Sequence, residues 1–337
     1  MLRRPVLATA GPARGTPAAA SVAPGPRIAF LTALGIGLLA ALLFSTSFVL
    51  NRSVQVGGGA WEWTASLRYL MTLPLLAAIV AARGGIAPVF AALRARPLAW
   101  LGWSTVGFGL FYAPLAFAVT SSPGWLLAGV WQLTILAGIL LAPLLYRDHR
   151  AVVPRRAVAG AVVVLGGVAL TQAEHVGAVG AHALAAGVLP VLVAACAYPA
   201  GNRKTMEVAD GRLDTWQRIL AMTIASLPFW LVLASLGLAR AGTPGIDQLT
   251  QCAIVAIVGG LLATALFFAA TARVRQHPAR LAAVEATQSC EVVFAALLEI
   301  AVLGIALPSA TAWTGVGLIV AGIAWASHAA ALSSPRP

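Results

Sequence analysis

Apolar runs of about 20 residues recur along nearly the whole chain, separated by short polar links, and as helices each could cross ~30 Å of hydrocarbon. The pattern predicts ten helices, roughly over 28–50, 60–82, 98–119, 124–146, 156–172, 181–202, 214–238, 248–272, 279–303 and 306–328. The links leave no room for a folded soluble domain. A β-barrel would show ~10-residue stretches of alternating hydrophobicity instead, and these are absent from the sequence. The expected fold is therefore all-α and integral to a membrane. Within the ninth run, Leu281 to Leu303, four acidic or amide side chains interrupt the apolar pattern: Glu285, Gln288, Glu291 and Glu299. The chain has only 10 acidic residues in 337, so three in one spanning segment stand out. An ionised carboxylate in hydrocarbon costs at least ~2.5–3.5 kcal/mol on insertion scales, so such groups face a polar cavity or a partner. At ~100° per residue, Glu285, Gln288 and Glu299 share one helix face, and Glu291 lies about 120° round from Glu285, near the middle of the segment.

Charge adds the topology. With 60% hydrophobic and 9% charged residues and a mean hydropathy of +0.90, the chain is far from soluble-domain composition. A net charge of +12 would suggest a nucleic-acid partner in a soluble protein. Here the basic residues sit at helix ends, so no nucleic acid is implied. All but three of the 22 Lys and Arg fall in the N-terminal tail, in alternate links and at Arg336; the exceptions are Arg52, Arg240 and Arg68. By the positive-inside rule both termini are cytoplasmic, at the cell inner (plasma) membrane. Residues 1–27 read as a disordered basic tail and 329–337 as a short cytoplasmic one.

A weak internal repeat is ordered along the chain. Asn51-Arg52 matches Asn202-Arg203, and Phe117 matches Phe268, at an offset of 151. After a four-residue slip, Pro123, Gly160 and Gly167 match Pro278, Gly315 and Gly322 at an offset of 155. Two constant offsets predict five-helix halves over 28–172 and 181–328. With an odd number of helices per half, the second copy is inverted in the membrane. In such folds the site lies between the halves, near the midplane.

The candidate chemistry is that of intramembrane charge. Glu291 and Glu285, with Glu299 as a third candidate, are proton- or substrate-binding carboxylates, since a carboxyl held in an apolar site can trade a proton against a substrate. The alternative for each is a structural pair with an arginine. Arg68, inside the second helix, needs a partner, and Glu299 or Glu291 is the expected one. Trp131, Gln132, Tyr112, Tyr198 and Gln288 are the expected cavity contacts, because aromatic faces beside carboxylates suit organic cations. Trp61, Trp100, Trp125 and Trp216 read instead as membrane-interface anchors. The Gly160/Gly167 and Gly315/Gly322 pairs make the fifth and tenth helices packing helices, with a homodimer through them as one expectation. Cys196, Cys252 and Cys290 lie in apolar runs without metal-ligand spacing, and the five histidines are scattered. No nucleophile elbow, Walker A loop or dinucleotide fingerprint is present, so neither an enzyme nor a cofactor is expected, and any pumping must draw on an ion gradient.

Three stretches resemble the drug/metabolite transporter superfamily of EamA-like ten-helix carriers, in its multidrug-resistance efflux branch: FSTSFVLNRSVQVGGGAWEWTASLRY (44–69), PGWLLAGVWQLTILAGILLAPLL (123–145) and AVEATQSCEVVFAALLEIAVLGIALPS (283–309). The resemblance covers roughly 28–328 and implies a central cavity lined by the first four helices of each half, with the fifth and tenth peripheral. It also implies export of small organic molecules by alternating access, usually against protons. One departure is that many members end the ninth helix with Leu-Gly-Glu, where this chain has Leu303-Gly304-Ile305. The expected activity is proton-coupled efflux of cationic or amphipathic compounds across the lipid bilayer. A carrier of amino-acid-like or nucleotide-sugar-like metabolites, with Arg68 on a substrate anion, is the alternative within transport. A non-transporting membrane subunit or scaffold is the alternative outside it.

Overall fold

The computed structural model describes residues 26–56, 58–121, 124–172, 184–303 and 309–332, and among them every regular element is helical. The elements that position the site are α1 (Pro26–Val56), α2 (Trp61–Ala82), α3 (Ile86–Ala95), α4 (Pro97–Ala118), α5 (Gly124–Trp131), α6 (Leu133–Leu140), α7 (Arg155–Gln172), α8 (Leu189–Ala209), α9 (Thr215–Ala241), α10 (Ile246–Val274), α11 (Pro278–Ala286), α12 (Cys290–Leu303) and α13 (Ala310–Leu332). Among the described residues seven helical stretches are long and apolar enough to span a bilayer, and shorter apolar helices accompany them. The chain is thus a multi-pass helical membrane protein.

Several expected boundaries move. The expected link after the second helix holds α3, which packs on α9. The expected sixth helix continues to Ala209, and α9 begins at Thr215, so Arg203 and Arg218, which the sequence pattern puts in a polar link, are buried inside helices. The α9 start is fixed by a capping box, in which the Asp214 carboxylate accepts from the Gln217 N–H and the Gln217 side chain accepts from the Asp214 N–H. Trp100, expected at the membrane interface, is fully buried instead.

Proline and glycine shape the helices round the interior. α4 carries a π-turn over Thr105–Gly109, one turn before Pro114. A proline ring crowds the carbonyl four residues back, and a wider turn relieves that crowding. A second π-turn, Leu184–Val188, precedes Pro190 in the same way. The third, Ala256–Ala263, holds Gly259 and Gly260 against Ser47 of α1 and Thr72 of α2. α4 and α8 meet backbone to backbone at Gly107 and Gly201, where a Cβ on Gly201 would fall inside the Gly107 main chain. α7 and α13 pack along their small faces: a Cβ on Gly167 would lie 2.6 Å from the Gly315 carbonyl oxygen, and one on Gly322 3.0 Å from that of Gly160. The two glycine pairs therefore face one another within the chain.

Candidate functional site

The fourth and ninth apolar runs, read from sequence as continuous helices, are both interrupted. The fourth breaks between α5 and α6 at Gln132, and the ninth passes through a 3₁₀ turn, Thr287–Ser289, between α11 and α12. A threonine at each break takes a carbonyl three residues back: Thr134 Oγ1 donates to Trp131 O at 2.6 Å, and Thr287 Oγ1 to Val284 O at 2.6 Å. Broken helices free backbone and side-chain polar groups at depth, tolerated where they line a cavity or are buried in protein.

Glu291 lies in the first turn of α12, just past the second break, and is buried. The Trp131 indole N–H, at the first break, is directed at its carboxylate, and the Arg68 guanidinium acts on it through space. Arg68 itself is 3% exposed and makes no ion pair among the described residues. Its guanidinium lies 4.2 Å from the centroid of the Tyr112 ring and 5.8 Å from that of Tyr69, and its Nε has no hydrogen-bond acceptor among the described residues. The expected contact pair with Glu291 is thus replaced by a cation–π stack with the carboxylate nearby. Phe111 joins the rings, 4.5 Å from Tyr198 and 5.2 Å from Trp131, and Tyr198 lies 5.6 Å from Phe267. Among the described residues the Tyr198 hydroxyl and Gln288 Nε2 are buried polar atoms without a hydrogen-bond partner, and the Gln132 side chain is buried at the first break. Such atoms cost free energy when left unsatisfied. Glu299 lies on α12, but its side chain is outside the described residues.

Glu285 belongs to a second centre. Its carboxylate accepts a two-pronged contact from Arg203 of α8, Nε to Oε1 at 3.1 Å and Nη2 to Oε2 at 2.6 Å, with the side chains 3% and 4% exposed. Gly138 of α6 makes room for it, since a Cβ there would come within 2.7 Å of Glu285 Oε2. Tyr146, Arg150 and Arg275 line a cleft beside Arg203. Arg150 is held there by Asp148, whose carboxyl is lowered to about 2 by the hydrogen bonds from Arg150. A third buried acid, Glu62, lies 3.4 Å from Arg240, near the bonds from Trp63 Nε1 to Gly242 O and from Gln248 Nε2 to Ala60 O. The structure therefore brings Glu291, Arg68, Trp131, Tyr112 and Tyr198 together and sets Glu285 apart with Arg203.

Sequence reasoning missed Arg203, Arg218, Glu62 and Asn202, all buried, with Asn202 Nδ2 3.3 Å from Thr271 Oγ1. The repeat match of Asn202-Arg203 to Asn51-Arg52 is the signal that could have found two of them.

A family model described as "EmrE: Putative multidrug resistance efflux transporter" matches residues 31–332, nearly the whole chain. The chain belongs to the EmrE-type multidrug resistance efflux transporter family. The protein YjlA of Bacillus subtilis (strain 168), described as uncharacterized, is 45% identical to this family member over 315 residues, 91% of this chain and 97% of that protein. A 42.1 kDa protein of Shouchella clausii, encoded 3' of an intracellular alkaline protease, is 45% identical over 271 residues, 79% of this chain and 71% of that one. A crystal structure with 21% identity superposes with a TM-score of 0.69, covering 90% of this chain and 99% of that one, so the two share a fold. Membership in this family makes the chain a membrane transporter, and its buried polar centres lie within that fold.

Proposed function

We propose that this transporter is a proton-coupled secondary exporter of small organic compounds, cationic or amphipathic, working by alternating access. One observation carries the reading: Glu291, a buried carboxylate in no contact ion pair among the described residues, lies beside a helix break with Trp131 and Arg68 of the aromatic cluster acting on it. A structural acid would be neutralised in contact, as Glu285 is by Arg203. An acid that must release and rebind a proton needs a looser arrangement. The paired interruptions at Gln132 and Thr287–Ser289 support two inverted five-helix halves in a ten-helix carrier, and the distribution of Lys and Arg supports an inner-membrane protein with both termini cytoplasmic. Protons are the coupling ion in this reading, and a small molecule is the substrate.

The test is proton flux in proteoliposomes under an imposed pH gradient, with pools of organic cations, amino acids and nucleotide sugars, comparing wild type with Glu291→Gln. Compound-dependent proton leak that vanishes in the variant is the expected result. An equal leak in both would remove Glu291 from coupling, and no leak from folded protein with any pool would overturn proton-coupled transport. A carrier of metabolites with an anionic group is a second reading, favoured by Arg68 making no ion pair among the described residues. In that case transport fails in Arg68→Lys while the glutamates are dispensable.

A further inference from the structure

The proposed site leaves one buried charge without a task. Arg218 lies in the first turn of α9, yet it is 3% exposed. Its guanidinium lies 4.5 Å from the centroid of the Phe268 ring, and Nη2 donates a long bond of 3.4 Å to the Phe268 carbonyl. Nη1 is buried and donates to nothing among the described residues. The acid nearest in sequence, Asp214, is turned to the Gln217 N–H and to Arg83 at 3.4 Å. Among the described residues no carboxylate pairs with Arg218, and the cation whose field reaches it is Arg275, of the same sign.

A buried guanidinium without an anion is expensive, and folding alone supplies no reason to keep one. The local charge balance says what would relieve it. Among the described residues Glu285 is cancelled by Arg203 and Glu62 faces Arg240, which leaves Glu291 as the buried carboxylate not in a contact ion pair, against the buried guanidinium groups of Arg68 and Arg218. Ring contacts join the two arginines: Arg218 lies over Phe268, Phe268 lies 6.1 Å from Phe108, Phe108 lies 5.0 Å from Tyr69, and Arg68 lies 5.8 Å from the Tyr69 centroid. Tyr198 lies 5.6 Å from Phe267 in the same aromatic wall and within reach of the Glu291 charge. A purely cationic compound there leaves the Arg218 surplus in place; an anionic head removes it.

We propose that Arg218 binds the anionic head, a carboxylate or phosphate, of an amphoteric substrate whose ring or chain lies on this aromatic wall and whose cationic or polar end faces Glu291. The inference rests on the transport reading and narrows its substrate class. A guanidinium offers two parallel donors to a planar carboxylate or a phosphate, and Arg218 has unused donor capacity for that contact.

The experiment is thermal unfolding and ligand titration of the purified full chain in detergent, for wild type, Arg218→Met and Arg218→Lys. The probes are 4-(aminomethyl)benzoate, its amide 4-(aminomethyl)benzamide, and phenyl phosphate. The acid and the phosphate are expected to stabilise wild type and the amide is not. Affinity for the acid should fall about 10-fold or more in Arg218→Met, the loss of one charge-assisted contact, with partial recovery in Arg218→Lys. Without ligand, Arg218→Met should melt at or above the wild-type temperature, because Met keeps the stem on Phe268 and removes the lone charge. Equal binding of acid and amide, no binding of any probe, or unchanged acid affinity in Arg218→Met would each overturn the proposal. Unliganded Arg218→Met melting about 5 °C or more below wild type would make the residue structural and also overturn it. The proton-flux assay is read separately: amide-driven leak without acid binding sinks the anion site and spares proton-coupled transport. Acid binding at Arg218 without leak from any compound does the reverse.

Discussion

Removing Glu285 separates a structural carboxylate from a coupling one. The carboxylate and Arg203 meet at 3.1 and 2.6 Å with both side chains almost wholly buried. Deleting one member of such a pair leaves an uncompensated buried charge and costs about 3–5 kcal/mol, whereas replacing both with apolar groups of similar volume is close to neutral or favourable. At about 2 °C per kcal/mol, Glu285→Met should lower the melting temperature by on the order of 6–10 °C. Arg203→Met should do likewise, and the double variant should return to within a few degrees of wild type. The assay is thermal unfolding of detergent-purified protein, followed by reconstitution of the double variant. A structural pair predicts strong non-additivity in stability and a compound-driven proton leak that survives in the double variant. Glu285→Met melting within about 1 °C of wild type, or two single losses that simply sum, would refute the electrostatic argument. Loss of leak in a stable double variant would return Glu285 to the coupling machinery.

Two further outcomes test packing and surface charge. Gly201→Ala should force α4 and α8 apart, because its Cβ would fall inside the Gly107 backbone, at a cost of about 1–3 kcal/mol or more. Gly102→Ala, with nothing within 4 Å, is the control, and equal melting of the two variants would refute the close approach. The Asp148 carboxyl should titrate at about 2 by carbon NMR rather than near its ordinary 3.8. Its folded value is depressed, so the Arg150 contact stabilises fully above the ordinary value and is lost as pH falls through about 2. Titration near 4 would show that the contact is not held in solution.

The membrane class, the approximate helix positions and the central polar residues were legible in the chain because hydrocarbon is an unforgiving solvent. A Glu, Arg or Gln in the middle of a 20-residue apolar run has few tolerable environments, so Glu291, Arg68, Gln132 and Gln288 announced themselves as interior groups. Charges near the ends of a run have more options. Arg203 and Arg218 could have reached headgroups or water by extending their stems, and no local pattern distinguishes that from burial. The helix breaks at Gln132 and Thr287–Ser289 were likewise invisible, since neither contains the Pro or Gly that usually signals one.

Pairing was a matter for the tertiary structure alone. The sequence ranked Glu285 with Glu291 as a coupling site because both are acids within one apolar run, and position along one helix says nothing about what the facing helix presents. α8 presents Arg203 to Glu285, through the gap left by Gly138, while α2 presents Arg68 to Tyr112 and only at longer range to Glu291. The sequence by itself determined that charge had to be buried, because apolar length demanded membrane burial of every residue in the run. Only the three-dimensional packing decided which charges cancel and which remain free to act, because electrostatic energy at low dielectric depends on ångström-scale separation between residues far apart in the chain.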